Sequence, residues 1–230
     1  MIISDKTVQI LKNFYSINEN IFIEPGSWIR TVSKSDSVMA QAKVEDVFPK
    51  AVCLSKFDKV LAFLSMSKET DIEFHDDYMI TKQGETFARF AYASPELVLK
   101  ISGPPKLSAS DLEFNLPWNT MKLMTDGMSI IKSTNLVIEG DGKKLLISAY
   151  DSSGFDRNAN GNSMGTYIGS TDKKFRAVIE QEKLKFLQSN YLVSIHAHQE
   201  VVRFIGDDVT YWIGANEDKS DFRSLLRDKS

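Results

Sequence analysis

Few side chains in this chain are suited to bond-making chemistry. It has 230 residues, with one cysteine and three histidines. His196 and His198 would share one face of a strand, but no carboxylate or thiol stands at ligand spacing beside them, so no metal is expected there. Asp156-Arg157-Asn158-Ala159-Asn160-Gly161 matches the opening of a calcium-binding loop. Tyr167 stands where the bidentate Glu belongs and no helices flank the segment, so a hairpin-tip loop is expected instead. Gly-rich phosphate loops, nucleophile elbows and paired cysteines are absent, and no Ser/His/Asp set is compelling. We therefore expect no enzymatic activity, no catalytic residue and no cofactor. What remains is a set of lysines on polar helix faces: Lys6, Lys12, Lys56, Lys59, Lys122, Lys132, Lys183 and Lys185. Each is either a solvated face residue or a mobile contact for an anion. Trp28, Trp118 and Trp212 could stack the bases of a single strand. All three lie at apolar-periodic positions or strand ends, where packing is the default.

Those lysines need helices to position them. Ser4 is a plausible N-cap with Asp5 in the first turn. At 100° per residue Thr7, Val8, Ile10, Leu11, Phe14 and Tyr15 share one face, with Lys6, Gln9, Lys12, Asn13 and Ser16 on the other. A second helix is predicted over Ser55–Met66, opened by a capping-box spacing at Ser55 and Asp58, burying Phe57, Val60, Leu61 and Leu64. A third starts at Pro117 and carries Met121, Met124 and Met128 on one stripe. The fourth is short, Glu180–Gln188, with Leu184 and Leu187 inward.

The rest reads as short strands between turn signals. Expected strands are Ile21–Ile23, Ser27–Val32, Val38–Val44, Ala51–Leu54, Asp71–Phe74, Tyr78–Lys82, Thr86–Tyr92, Asn135–Glu139, Lys144–Ala149, Gly165–Ile168, Lys174–Ile179, Tyr191–His196, Val201–Ile205 and Thr210–Ile213. Gly140-Asp141-Gly142 is a hairpin turn. The order is helix, four strands, helix, three strands, and then the same again. The Pro-containing segment Ile101–Ser110 falls between the two sets, where a connector belongs. The fold class is α+β, with two domains of one topology at 1–100 and 111–230 and a connector at 101–110.

The composition is that of an ordinary globular protein, 42% hydrophobic and 26% charged. No apolar run approaches membrane-spanning length, and the first residues lack the marks of a signal peptide. The lone Cys53, inside the apolar run AVCL, reads as a buried structural thiol in a reducing compartment. A formal net charge of −3 argues against a generally basic coat but leaves room for a local basic face.

At this point the residues resemble a known family, the trimeric sliding clamps of T4-type bacteriophages. The likeness is carried by Thr7-x-x-Ile10-Leu11-Lys12-Asn13-Phe14-x-x-Ile17-Asn18, followed by Gly26-x-x-Ile29-x-Thr31. Glu45-Asp46-Val47, the helix Phe57–Leu64, Asn190-Tyr191, Tyr211 and the closing Asp221-Phe222 add to it. It is densest over the first 66 residues. The long loop Asp151–Ser163 and residues 223–230 depart from the family pattern. The resemblance implies two DNA-clamp domains per chain, three chains to a ring, outer β-sheets, and four short helices lining a hole that holds duplex DNA without sequence preference. The implied partners are the replicative polymerase, an ATP-driven clamp loader and two further copies of the chain, with no membrane, in the cytoplasm of an infected bacterium.

A lining for duplex DNA should be mildly basic and free of base contacts. The four helical segments sum to +3, leaving −6 elsewhere. Lys12 and Lys185 also fall where the family pattern has lysine. Ring closure would need open sheet edges, expected around Tyr78–Lys82 and Thr86–Phe90 in one domain and Asn135–Glu139 in the other. A pocket for partner peptides beside the connector would draw on Leu97, Leu99, Ile101, Leu107 and Trp212, residues that could equally seal a core. The rival readings are a single-stranded DNA-binding or other phage replication accessory protein and, from another class, a virion structural protein.

Overall fold

Helices and short strands alternate along the computed structural model, which describes residues 1–66, 70–151 and 161–227. Helix α1 (Asp5–Ile17) leads into β1 (Ile21–Ile23), β2 (Gly26–Val32), β3 (Val38–Phe48) and β4 (Val52–Leu54). Helix α2 (Asp58–Leu64) precedes β5 (Asp71–Phe74), β6 (Tyr78–Gln83) and β7 (Thr86–Ala91), and a 3-10 turn occupies Pro95–Leu97. The second series runs β8 (Leu112–Leu116), α3 (Trp118–Ile131), β9 (Asn135–Asp141), β10 (Lys144–Tyr150), β11 (Ser163–Ser170) and β12 (Lys174–Glu180). It closes with β13 (Tyr191–His196), β14 (Val201–Ile205), β15 (Val209–Gly214) and the five-residue α4 (Arg223–Arg227). The chain divides into two units, Met1–Pro105 with Asp208–Tyr211, and Lys106–Asp207 with Trp212–Ser230.

In the first unit α1 buries Thr7, Val8, Ile10, Leu11 and Phe14, and α2 buries Val60, Leu61 and Leu64. Both faces follow the 3.6-residue apolar period. Beneath them lie the antiparallel pair β1–β4, with Ile21 opposite Leu54, and the meander β5–β6–β7. Strands β2 and β3 pair antiparallel with an irregularity between Gly26 and Trp28, where Gly26 takes φ +117. A β-branched or bulky residue would be strained there, which gives the glycine of the quoted motif its reason.

In the second unit Met121, Met124 and Met128 of α3 are fully buried against the sheet β11–β10–β9–β12. Residues 135–140 of β9 are buried throughout, so both faces of this strand are covered, with the polar Asn135 and Glu139 buried beside the apolar Leu136, Val137 and Ile138. The tip of the Met164 side chain fills the space beside Gly127: a Cβ there would lie 2.0 Å from Met164 Sδ, so that flexible side chain would have to move. Strands β8, β13, β14 and the last residues of β15 form the other layer.

Three sequence expectations need correction. Ser55 does not cap α2: its hydroxyl donates to Asn20 Oδ1, and the helix starts at Asp58 after Phe57 with no side-chain cap. Glu180–Gln188 is not an α-helix. Glu180 is the last residue of β12, paired with Asn135, and only Gln181–Lys183 turns, in 3-10 geometry. The fourth α-helix is instead α4, in the segment that departs from the family pattern. Strand β8 went unread, although Leu112, Phe114 and Leu116 alternate as a half-buried strand does.

Candidate nucleic-acid interface

Helix α1 presents Asp5, Lys6, Gln9, Lys12 and Ser16 to solvent. It is fixed at its start from two sides. Ser4 Oγ accepts from Thr7 N at 3.2 Å, and Asp46 of β3 accepts from Ser4 N (3.1 Å), Ser4 Oγ (2.8 Å) and Thr7 Oγ1 (2.5 Å). The Thr7 and Asp46 positions of the quoted motifs are thus two ends of one cap. Asn13 accepts from the Tyr211 hydroxyl at 2.8 Å, and Asn18 Nδ2 donates to the Val32 carbonyl at 2.7 Å. These polar motif residues anchor the helix without recourse to Lys12.

The lysines differ in what they can do. Lys12 and Lys59 are exposed on α1 and α2. Lys6 forms an ion pair with Asp208 at 2.5 Å, half-exposed and readily exchanged for another anion. Lys56 precedes α2 in the left-handed region, φ +48, and is exposed. Nearby Glu19 has its carboxyl pKa lowered chiefly by the hydrogen bond and charge of Lys34, with a smaller part from Lys56. On α3, Lys122 pairs with Asp126 one turn on at 2.5 Å, and Lys132 ends the helix with φ 55. Lys185 is exposed and Lys183 is not available. Its side chain is 14% exposed, bound to Glu180 at 2.7 Å and donating to the Gly214 carbonyl at 3.0 Å. Lys183 is a structural clasp, and its place in the sequence-derived set is withdrawn.

Helix α3 is capped from afar. Pro117 offers no side-chain hydrogen bond, and Asn190 Oδ1 accepts from Trp118 N at 2.9 Å instead. That gives Asn190, the residue before β13, a reason to be asparagine. Exposed Leu123 and Ile130, seven residues apart on α3, share the stripe of Asp126. The sequence reading missed this pair, although the spacing alone would have marked it.

The proposed peptide-pocket residues separate by exposure. Leu97 and Leu99 are 74% and 57% exposed on either side of buried Val98. This segment lies along the β1–β4 pair, with Ala93 N donating to the Cys53 carbonyl at 2.9 Å and the Lys100 ammonium 4.7 Å over the Phe22 ring. Ile101 and Leu107 are half-buried, and Trp212 is buried as core. Trp118 is half-buried; Trp28 is exposed, with the Arg30 guanidinium 5.6 Å from its ring. Cys53 is buried, and burial pushes its thiol pKa up.

His196 is buried and satisfied on both ring nitrogens: Nδ1 lies 2.9 Å from the Ser108 carbonyl, and Nε2 3.1 Å from Ser194 Oγ. His198 is exposed in the turn beyond β13. Among the described residues no group of three or more His, Cys, Asp or Glu could hold a metal ion, and no helix is long and apolar enough to cross a membrane. Residues 156–160 of the calcium-loop look-alike lie outside the described residues. Its approach is closed by Asp151, whose N donates to the Asn162 carbonyl at 2.9 Å and whose carboxylate accepts from Asn162 N at 2.9 Å.

Relatives of this chain are found among known proteins. The family model described as "gp45 sliding clamp, C terminal" matches residues 118–217, in the half where the sequence likeness looked thinner. The sliding clamp of Vibrio phage KVP40 is 26% identical over 220 residues, covering 93% of this chain and 98% of that protein. Those of Escherichia phage RB69 and Enterobacteria phage T4 are 25% and 24% identical, each covering 96% of this chain and 99% of theirs. Among solved structures, A. fulgidus PCNA bound to the C-terminal region of FEN-1 superposes with TM-score 0.68 at 14% identity, over 94% of this chain and 96% of that one. The DNA polymerase III subunit beta from Pseudomonas aeruginosa gives TM-score 0.64 at 11% identity, over 92% of this chain and 63% of that one. At those identities the superpositions establish a shared fold, and the phage relatives narrow it. Over nearly its whole length the chain is similar to the sliding clamps of phages KVP40, RB69 and T4, and residues 118–217 match the C-terminal domain of the gp45 sliding clamp.

Proposed function

We propose that three copies of this chain close into a ring around duplex DNA and tether the replicative polymerase, with no chemistry of their own. The reading rests on the sheet edges. In the first unit the outer edge of β5 is covered by the chain's first residues: Ile2 bridges Asp71, Ile72 N donates to the Met1 carbonyl at 2.9 Å, and the Met1 ammonium pairs with Asp71. In the second unit the outer edge of β12 is covered by the C-terminal segment. Arg176 and Asp221 exchange backbone bonds of 2.9 and 2.7 Å, and Ser220 Oγ accepts from Val178 N at 3.0 Å. The opposite edges, β7 and β11, have no strand beyond them among the described residues. They carry Phe87 and Tyr167 at 68% and 64% exposure.

An uncovered edge with exposed aromatics invites another chain. Head-to-tail pairing of β7 with β11 of the next copy is heterologous and closes if the rotation allows it. Two of the edges expected from sequence are not edges: Tyr78–Lys82 lies in β6, paired on both sides by β5 and β7, and Asn135–Glu139 lies in β9, paired by β10 and β12. Each copy would supply two clamp domains, 1–100 and 111–230, joined by the connector 101–110. The face toward DNA would carry Lys6, Lys12, Lys56, Lys59, Lys122, Lys132 and Lys185. A clamp loader would open the ring in the cytoplasm of the infected bacterium.

The test is topological. Light scattering should give three times the mass of one chain, and loaded protein should stay on nicked circles but run off linear DNA. A monomer, or equal retention on both DNAs, would sink the ring. For the polymerase peptide, Leu97 and Leu99 are better anchors than the half-buried Leu107. Replacing both by Ala should weaken the cognate polymerase's C-terminal peptide by more than about 1 kcal/mol with the melting temperature unchanged. Normal binding by that variant would move the pocket elsewhere.

A further inference from the structure

Outside the helices, one more cationic feature is built into the fold. At one end of the sheet β11–β10–β9–β12, the turn between β9 and β10 and the crossing from β11 to β12 lie against each other. Gly142 N donates to the Lys173 carbonyl at 3.1 Å, and Thr171 N donates to the Lys143 carbonyl at 3.2 Å. The crossing sits close because two positions lack side chains. A Cβ at Gly140 would lie 2.5 Å from the Lys173 carbonyl oxygen, and Gly142, at φ +90, has Lys174 Cε 3.1 Å from where its Cβ would be. The laced turns read Asp141-Gly142-Lys143-Lys144 and Thr171-Asp172-Lys173-Lys174, four lysines against two aspartates in a chain of net −3. Lys143, Lys144 and Lys174 are exposed. The Asp141 carboxylate is turned into the loop, accepting from Lys143 N at 2.8 Å and Lys144 N at 2.7 Å.

We propose that this lysine-bearing end of the second unit's sheet is a further contact surface for the phosphate backbone of duplex DNA, distinct from the helix faces. One feature favours phosphate over an acidic protein. All four cations are lysine and none is arginine, and lysine is depleted in protein–protein interfaces while arginine is enriched. Point charges on flexible stems suit an anion lattice read without sequence or fixed geometry. The choice of duplex DNA as the polyanion rests on the clamp reading above.

The experiment uses the full chain and a fluorescein-labelled 30-base-pair duplex with free ends, followed by anisotropy across a salt series. Lys143→Glu with Lys174→Glu should lower affinity at least fivefold at low salt. It should also shallow the slope of log K against log salt by roughly 0.9 for each phosphate no longer neutralised. Oligomeric mass and melting temperature should stay those of the parent. The pair Lys143→Gln and Lys174→Gln should move affinity in the same direction by less, and serves if the reversed charges disturb folding. Unchanged affinity and slope would overturn the proposal. Unchanged duplex binding with abolished binding to a polyglutamate peptide would overturn it in favour of an acidic protein partner. The free-ended duplex needs no ring, so failed retention of the parent protein on circles would count against the clamp reading alone.

Discussion

The two units solve one architectural problem with different means. Each lays a helix on antiparallel strands, covers one sheet edge with a terminal segment of the chain, and has no strand beyond the other edge among the described residues. The first unit caps α1 from its own N-terminal turn through Ser4 and reinforces that cap from β3 through Asp46, 42 residues on, with α2 following as a second helix. The second unit has only one substantial helix among the described residues, and distant residues hold it. Asn190 caps α3 across 72 positions of sequence. Where a second helix was expected, Glu180 and Lys183 tie the segment down instead. The Tyr191 hydroxyl also donates to the Leu187 carbonyl. A helical pattern thus yields when its first residue already belongs to a β-ladder and its side chains have better partners outside the segment.

The largest expected effect breaks the feature the units share, the open edge. Gln83 and Thr86 flank a two-residue loop and pair with each other. Hydrogen-bonded pairs alternate from there, so Thr81–Ala88 bonds inward and the N–H of Arg89 points away from β6. Arg89→Pro should therefore convert trimers to monomers that still fold, while Arg89→Ala, which loses only the guanidinium 3.9 Å over Tyr78, should stay assembled. Sizing by light scattering decides it; a trimeric Arg89→Pro protein would place the interface on another strand. Between them β7 and β11 carry one charged residue, Arg89. Assembly should then resist salt that strips the protein from DNA.

A smaller effect separates the two capping solutions. Asp46→Ala strands three donors at the start of α1 and should cost about 2 kcal/mol, whereas Asn190→Ala strands one at α3 and should cost about 1. Native-state hydrogen exchange can read each helix by itself. Equal loss of protection in both helices from either variant would show that the units do not hold their helices independently.

Smaller again in stability, but opposite in function, is a lysine pair. Lys12→Glu should leave melting unchanged and reduce retention on circular DNA, because Lys12 is exposed on α1. Lys183→Met should destabilise the second unit and leave retention intact, because its ammonium is bound to Glu180 and the Gly214 carbonyl. If Lys183→Met lost DNA and kept its stability, the withdrawal of Lys183 from the lining would be mistaken.

The sequence disclosed what depends on near neighbours. The α1 cap and face, the methionine stripe of α3 and the strand alternation all follow from residues within one turn or one pleat, and these appear in the structure. It hid whatever depends on pairing across the chain. Nothing local says that Asp46 belongs to Ser4, that Asn190 belongs to Trp118, or that β9 lies between β10 and β12. The second unit's open edge was therefore sought on β9, whereas among the described residues it is β11. Lys183 was misread for the same reason, since helical position alone cannot tell an exposed lysine from one bound to a carbonyl 31 residues away.

The smallest expected effect belongs to the second unit and turns on His196. Its buried ring fits a neutral tautomer in which Nδ1–H donates to the Ser108 carbonyl and Nε2 accepts from the Ser194 hydroxyl, which in turn accepts from Arg203 Nε at 2.9 Å. Protonation would put a second donor against a hydroxyl oxygen already receiving Arg203. Burial lowers the imidazole pKa below its ordinary 6.5, with Arg203 adding to this and the Ser108 carbonyl, Asp111 and Glu113 opposing it. For a base depressed in the folded state, the unfolded chain takes up the proton first. The stability is thus intact above about 6.5 and falls as pH drops below it, levelling once the folded ring is also protonated. Unfolding midpoints measured from pH 7.5 down to about 5 should decline in the parent protein. In His196→Gln they should start lower and run flatter, with faster exchange where Ser108 meets Gln199. Carboxylates held low by their partners, such as Asp71 and Asp141, contribute stability that is lost only in more acid solution. A decline of the same slope in the variant would assign the acid sensitivity to groups other than His196.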